Sequence, residues 1–121
     1  MKRYKSIIEQ ESKDIIITLP KNIKWGDYEK ELEKAKNGEI MNFKVSNFPK
    51  TKKGNKCYIC HDGYIKGYMI IYGLEEKDFI CTTTGKHWKG KFIQRTGDFY
   101  KINPVPYKGF QGFRYYNGDN E

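Results

Sequence analysis

Three cysteines and two histidines are the residues of this chain best suited to chemistry, and three of the five fall close together. Cys57, Cys60 and His61 form C-x-x-C-H within KCYICHDG (56–63), the spacing that attaches a c-type haem. Adding Cys81 and His87 gives a set that could be drawn as a zinc site. A competing reading comes from Asp62-Gly63, which lies between two β-rich runs and signals a two-residue type I′ hairpin. That turn sets His61 opposite Tyr64, Cys60 opposite Ile65, Tyr58 opposite Gly67 and Cys57 opposite Tyr68.

In this register Tyr58, Cys60, Ile65, Met69 and Ile71 share a core face. Cys57, Ile59, His61, Tyr64, Lys66 and Tyr68 share the other. Cys57 and Cys60 then point to opposite sides of a strand, with Cα atoms about 10 Å apart at roughly 3.3 Å per residue. A disulfide needs under about 7 Å, and tetrahedral zinc needs ligands that converge. Haem attachment also calls for an exported chain and an open segment. The cysteines are therefore expected as half-buried strand thiols, with no cofactor and no metal. Cys81 with His87 could pair a nucleophile with a base, but no third residue visibly orients the histidine. No catalytic residue is assigned, and the chain leans away from enzymes.

The elements that must position these residues follow from pattern. With 121 residues, the chain is expected to be one domain, 1–121, with an ambiguous N-terminal segment (1–14) and a flexible tail (117–121). DIIITLP predicts a strand over 15–19, stopped by Pro20. A helix is predicted from Asp27, as cap, to 37, ended by Gly38, with Trp25, Tyr28, Leu32 and Ala35 on one face. Further strands are predicted over 40–47, 56–61, 64–72, 78–83, 91–95, 98–102 and 111–116, with 103–109 as a proline-stiffened crossing. Many short strands and one helix predict an α+β fold, a small curved mixed β-barrel.

Charge points to a partner. The 23 basic and 15 acidic residues leave a net +8, which suits an anionic ligand. From Ile40 to His61 there is no acid, while Lys44, Lys50, Lys52, Lys53 and Lys56 are basic. The same holds from Phe99 to Gly118, which carries Lys101, Lys108 and Arg114 among Tyr100, Tyr107, Phe110, Phe113, Tyr115 and Tyr116. Cations that neutralise phosphates, interleaved with rings that stack on bases, suit nucleic-acid binding. In KGFQGFRYY (108–116), Gly109 and Gly112 let the backbone kink around Gln111, and Arg114 offers a fork for a phosphate or a base edge. No apolar run approaches a membrane span, and the N-terminus turns charged too early for a signal peptide, so a cytoplasmic location is expected.

The order of elements, with GEIMNFKVSNFPK, GNKCYICHDGYIKGYMIIYG and a closing strand, resembles the PUA-like superfamily, which includes ASCH and EVE domains. HDGYIKGYMII (61–71) is similar to the strand pair G-D-x-hydrophobic…G-x-I-x-G of those families, and the resemblance spans roughly 15 to 116. It implies a small β-barrel that binds RNA or holds a flipped, modified base in an aromatic cleft, for which Trp25, Trp88 and Tyr107 qualify by type. Some ASCH proteins instead hydrolyse acylated nucleosides. Their G-x-K-x-x-E-x-R signature is missing here, since GKHWKGKFIQR (85–95) has no glutamate, so no catalytic residue is carried over.

The expected function is a non-catalytic module that binds nucleic acid, RNA or DNA, or a modified nucleotide, in a basic aromatic cleft. Lys50, Lys52, Lys53, Lys89 and Arg95 would meet phosphates, Trp88 and Tyr107 would stack, and Gln111 and Arg114 would read an edge. A small hydrolase of modified nucleosides and a domain that binds an acidic protein are the alternatives.

Overall fold

The structure is a computed structural model that describes residues 12–80 and 85–117, apart from the Trp88 side chain. The fold is α+β. Among the described residues its strands are β1 (Ile15–Thr18), β2 (Met41–Val45), β3 (Lys56–His61), β4 (Tyr64–Ile80), β5 (His87–Pro106) and β6 (Phe113–Tyr115), with one helix, α1 (Trp25–Lys36). The strands form one mixed sheet in the order β2-β5-β4-β3-β1-β6, curled into a half-barrel. Only β1 and β3 run parallel; every other pair is antiparallel.

Helix α1 buries Tyr28, Leu32 and Ala35, the face that the spacing predicts. It starts two residues before Asp27. Lys24 occupies the cap without a side-chain hydrogen bond, and Asp27 sits in the first turn, where a carboxylate favours the helix dipole. Gly38, at φ 102°, ends the helix. Its amide donates to Ala35 O at 3.0 Å and that of Glu39 to Lys34 O at 3.1 Å, the paired bonds of a left-handed helix terminus.

The sheet is apolar on both sides. One side packs Ile15, Ile17, Cys57, Ile59, Met69, Ile71 and Ile93 against the helix. The other gathers Ile16, Tyr58, Cys60 and Ile65 beneath Tyr68, Tyr107, Phe110 and Tyr116. A fully buried Ile or Met contributes roughly 1.5–3 kcal/mol, so the helix-side layer dominates stability.

Two expectations change here. The hairpin keeps His61 opposite Tyr64 and Cys60 opposite Ile65, but a bulge at Lys66 then shifts the register, so Ile59 meets Gly67, Tyr58 meets Tyr68 and Cys57 meets Met69. One extra residue moves every later β4 side chain to the opposite face. Met69 and Ile71 therefore join Cys57 and Ile59, and Tyr68 joins Tyr58.

The predicted strands 64–72 and 78–83 merge into β4, and 91–95, 98–102 and part of 103–109 merge into β5. Glu75, Glu76 and Asp78 read as a break but pair across to Phe92, Lys91 and Lys89. Around Thr96–Asp98 the chain bulges instead of turning, and the Thr96 hydroxyl reaches the carbonyls of Ala35 (3.2 Å) and Glu39 (2.9 Å) at the helix end. Pro104 and Pro106 are tolerated because β2 pairs only with residues 91–95, leaving that stretch of β5 as an edge. The predicted segment 1–14 and tail 117–121 fall largely outside the described residues, as do 81–83.

Candidate functional site

Register places three tyrosines in one row. Tyr58 on β3 is opposite Tyr68 on β4, which is opposite Tyr100 on β5. The row continues through Ile16 on β1, opposite Tyr58, to Arg114 on β6. Tyr68 and Tyr100 stack with centroids 5.0 Å apart, while Tyr58 lies tilted at 5.4 Å from Tyr68. Tyr58 is buried as a floor and Tyr100 is 44% exposed. The Lys56 ammonium sits 4.9 Å from the Tyr68 ring centre, and the Arg114 guanidinium 4.6 Å from that of Phe110. Cations over ring faces both hold the rings and bring positive charge to this side of the sheet.

Residues after β5 cover one end of the row. The Tyr107 amide donates to Gly63 O at 2.9 Å, the Tyr107 carbonyl lies 3.5 Å from Cys60 Sγ, and the Phe110 amide donates to Thr18 Oγ1 at 3.4 Å. Tyr116 packs edge-on against both Tyr58 (4.8 Å) and Tyr107 (5.8 Å). Beside it opens a groove of about 570 Å³ lined by Ser12, Lys13, Asp14, Asn55, Tyr115, Tyr116 and Asn117.

The basic loop between β2 and β3 is fastened to this groove. The Lys13 amide donates to Lys50 O (2.8 Å), the Lys50 amide to the Tyr115 hydroxyl (2.9 Å), and Asn55 Nδ2 to Ser12 Oγ (3.0 Å). Lys13 Nζ lies 5.4 Å from the Tyr115 ring centre and Lys53 Nζ 5.5 Å from that of Tyr72.

The nine residues singled out from sequence separate into four places. Lys50, Lys52 and Lys53 are exposed on the loop beside the groove. Tyr107, Gln111 and Arg114 belong to the covering segment and β6, with Gln111 and Arg114 exposed. Lys89 and the backbone of Trp88 lie on the two-stranded arm that β4 and β5 form beyond Lys91. Arg95 is the correction: it is 2% exposed, in the apolar layer under α1, and donates to the Tyr28 hydroxyl, out of reach of a phosphate. Trp25 likewise packs between helix and sheet, against His61 and Phe99.

The sequence pattern counts Lys56 and Tyr100 among the basic and aromatic residues without giving them a role, and it leaves out Tyr58, Tyr68 and Asp14. Its signal existed as tyrosines at strand positions, but only the bulged register aligns them.

The cysteine-histidine pattern resolves as strand chemistry. Cys57 and Cys60 enter opposite apolar layers, so they cannot converge on one ion. Burial pushes the Cys57 thiol up to about 11, partly opposed by the nearby Arg95 charge. Cys60 is also raised by burial, opposed by Thr18 and Lys66. Buried His61 presents Nε2–H to Ile23 O at 2.6 Å and accepts at Nδ1 from the Lys66 ammonium at 3.2 Å. On the arm, Asp78 contacts His87 Nε2, the orienting carboxylate that the sequence did not reveal. That hydrogen bond holds the Asp78 carboxyl below its ordinary range. Cys81 lies outside the described residues.

No family model, curated protein or solved structure matches this chain.

Proposed function

We propose that the protein binds single-stranded nucleic acid across the tyrosine face of its sheet. The observation that carries this is the Tyr58–Tyr68–Tyr100 row, rings of graded exposure on adjacent strands with Lys56 and Arg114 beside them. Exposed rings fixed on a rigid sheet stack on bases without selecting among them, and such stacking contributes about 1–3 kcal/mol per base. Lys13 lines the groove, the Lys50 backbone is bonded to Tyr115 beside it, and Lys50, Lys52 and Lys53 are exposed on the same loop, cations for the backbone of a strand leaving the platform. Asp14 is the carboxylate among the described residues of the groove, while Glu29, Glu33 and Asp98 line a hollow with Lys36 and Lys101 at the Tyr100 edge of the sheet.

Fluorescence anisotropy of short labelled RNA and DNA strands, titrated with protein at several salt concentrations, tests this. Binding that weakens as salt rises, and that Tyr68→Ala with Tyr100→Ala reduces at least tenfold, is expected. A folded double variant with unchanged affinity, or no binding at low salt, would remove the proposal.

A further inference from the structure

We infer that the groove beside Tyr116 receives a guanine base of the bound strand, with Asp14 reading its edge. This rests on the strand binding proposed above and names what one part of that surface selects.

Asp14 is an odd residue for a surface that must meet phosphate. Among the described residues it is the carboxylate in a groove otherwise lined by neutral side chains and Lys13. Facing a phosphate it would repel; facing a base it can only accept hydrogen bonds. It is also held in place. One carboxylate oxygen accepts the Lys56 amide at 2.8 Å, and the Asp14 carbonyl accepts the Tyr116 amide at 3.1 Å. A carboxylate has about four lone-pair positions, so the Lys56 bond leaves both oxygens able to accept more.

The groove adds a second acceptor and a wall. Asn55 is oriented by its Nδ2 bond to Ser12, which leaves its carbonyl oxygen without a partner among the described residues. Tyr116 is locked by Tyr58 and Tyr107 and forms one side, Tyr115 another. The volume falls within the roughly 300–1,000 Å³ typical of small-molecule sites.

Base chemistry then selects. Guanine alone offers two adjacent donors, N1–H and the N2 amine, parallel to each other as a carboxylate requires. Adenine and cytosine each place a ring acceptor beside their amine, which an ionised carboxylate repels. Uracil has one donor flanked by two carbonyls. A bidentate base contact of this kind discriminates by about tenfold to a hundredfold.

The probes are a short oligouridine, the same strand with one central guanosine, and the same strand with inosine there, which lacks the N2 amine. Wild type should bind the guanosine strand at least tenfold tighter than oligouridine, with inosine between them. Asp14→Asn retains an oxygen for the Lys56 amide, and with it the guanosine-to-uridine ratio should fall to about one. Equal affinity of wild type for all three strands would overturn guanine selection and leave strand binding standing. No binding of any strand at low salt would overturn both. Free GMP competing as well as the guanosine strand would overturn the strand assignment in favour of a nucleotide site. Should Asp14→Asn lose its folded circular dichroism, the inosine comparison on wild type still decides.

Discussion

Arg95 on β5 donates a hydrogen bond to the phenol of Tyr28 on α1, 2.9 Å away and inside the apolar layer that joins helix to sheet. Arginine stays charged, and its Nε has no partner among the described residues, so the Tyr28 oxygen carries much of what compensates a buried guanidinium. Tyr28→Phe should therefore cost about 2–3 kcal/mol, more than a neutral hydrogen bond does. Arg95→Met in the Tyr28→Phe background should recover much of that, because a well-packed apolar pair escapes the desolvation cost. Urea unfolding of the four proteins measures both, and a Tyr28→Phe loss under about 0.5 kcal/mol would show that the pair does not hold the helix down.

Cys57 gives stability a dependence on alkaline pH. Its thiol is fully buried and titrates near 11 in the folded chain, against an ordinary 9.0. The folded state thus holds the proton more tightly than the unfolded one. Stability is full below pH 9 and declines as pH rises from 9 towards 11. A difference of two units corresponds to on the order of 2–3 kcal/mol. Denaturant midpoints of wild type and Cys57→Ala, compared from pH 8 to 11, isolate this slope, since the tyrosines and lysines are common to both. Parallel curves would contradict it.

Much of the architecture was legible because it depends on local pattern. The Tyr28, Leu32 and Ala35 spacing and Gly38 located α1, and Asp62-Gly63 located the β3–β4 turn. What failed depended on a single inserted residue or on burial. The bulge at Lys66 breaks the period of two, so Met69, Ile71 and Tyr68 all exchanged faces relative to a regular hairpin. Lys66 has a reason to sit there: its ammonium lies 4.5 Å from the Trp25 ring centre as well as against His61. Nothing in the local sequence around Arg95 distinguishes a buried arginine from an exposed one. Its partner Tyr28 is 67 residues away. The loop lysines and Arg114 needed no such distant information, and they are exposed as expected.

Gly67 supports the tyrosine row from within the sheet. A Cβ there would stand 2.4 Å from the Tyr100 carbonyl oxygen and 2.5 Å from the Phe99 ring. Because one obstacle is backbone, β5 itself must move. Gly67→Ala should destabilise by about 2–3 kcal/mol, at the upper end for overpacking. Gly26→Ala is the control: it is in the first turn of α1 with open space around it, and should be neutral or stabilising by up to about 1 kcal/mol. Thermal melts of the two variants test the contrast, which would fail if Gly67→Ala were as stable as wild type.

The four cations first assigned to phosphates on the loop and in the core can now be separated by experiment. Lys50 contributes its backbone to the loop's anchoring, and the ammonium groups of Lys50, Lys52 and Lys53 belong to exposed side chains beside the groove. Replacing all three by Gln leaves those backbone bonds intact while removing three charges. For a single strand each neutralised phosphate contributes about 0.7 to the slope of log affinity against log salt, so the triple variant should lower that slope by about 2. Arg95→Met should leave the slope unchanged, because a guanidinium 2% exposed beneath α1 releases no counterion. Tyr100→Ala should reduce affinity at every salt concentration without altering the slope, since stacking carries no net charge. Were Arg95→Met to lower the slope as the lysine variant does, the arginine would have to reach solvent in the complex, and the helix-side layer would have to open on binding.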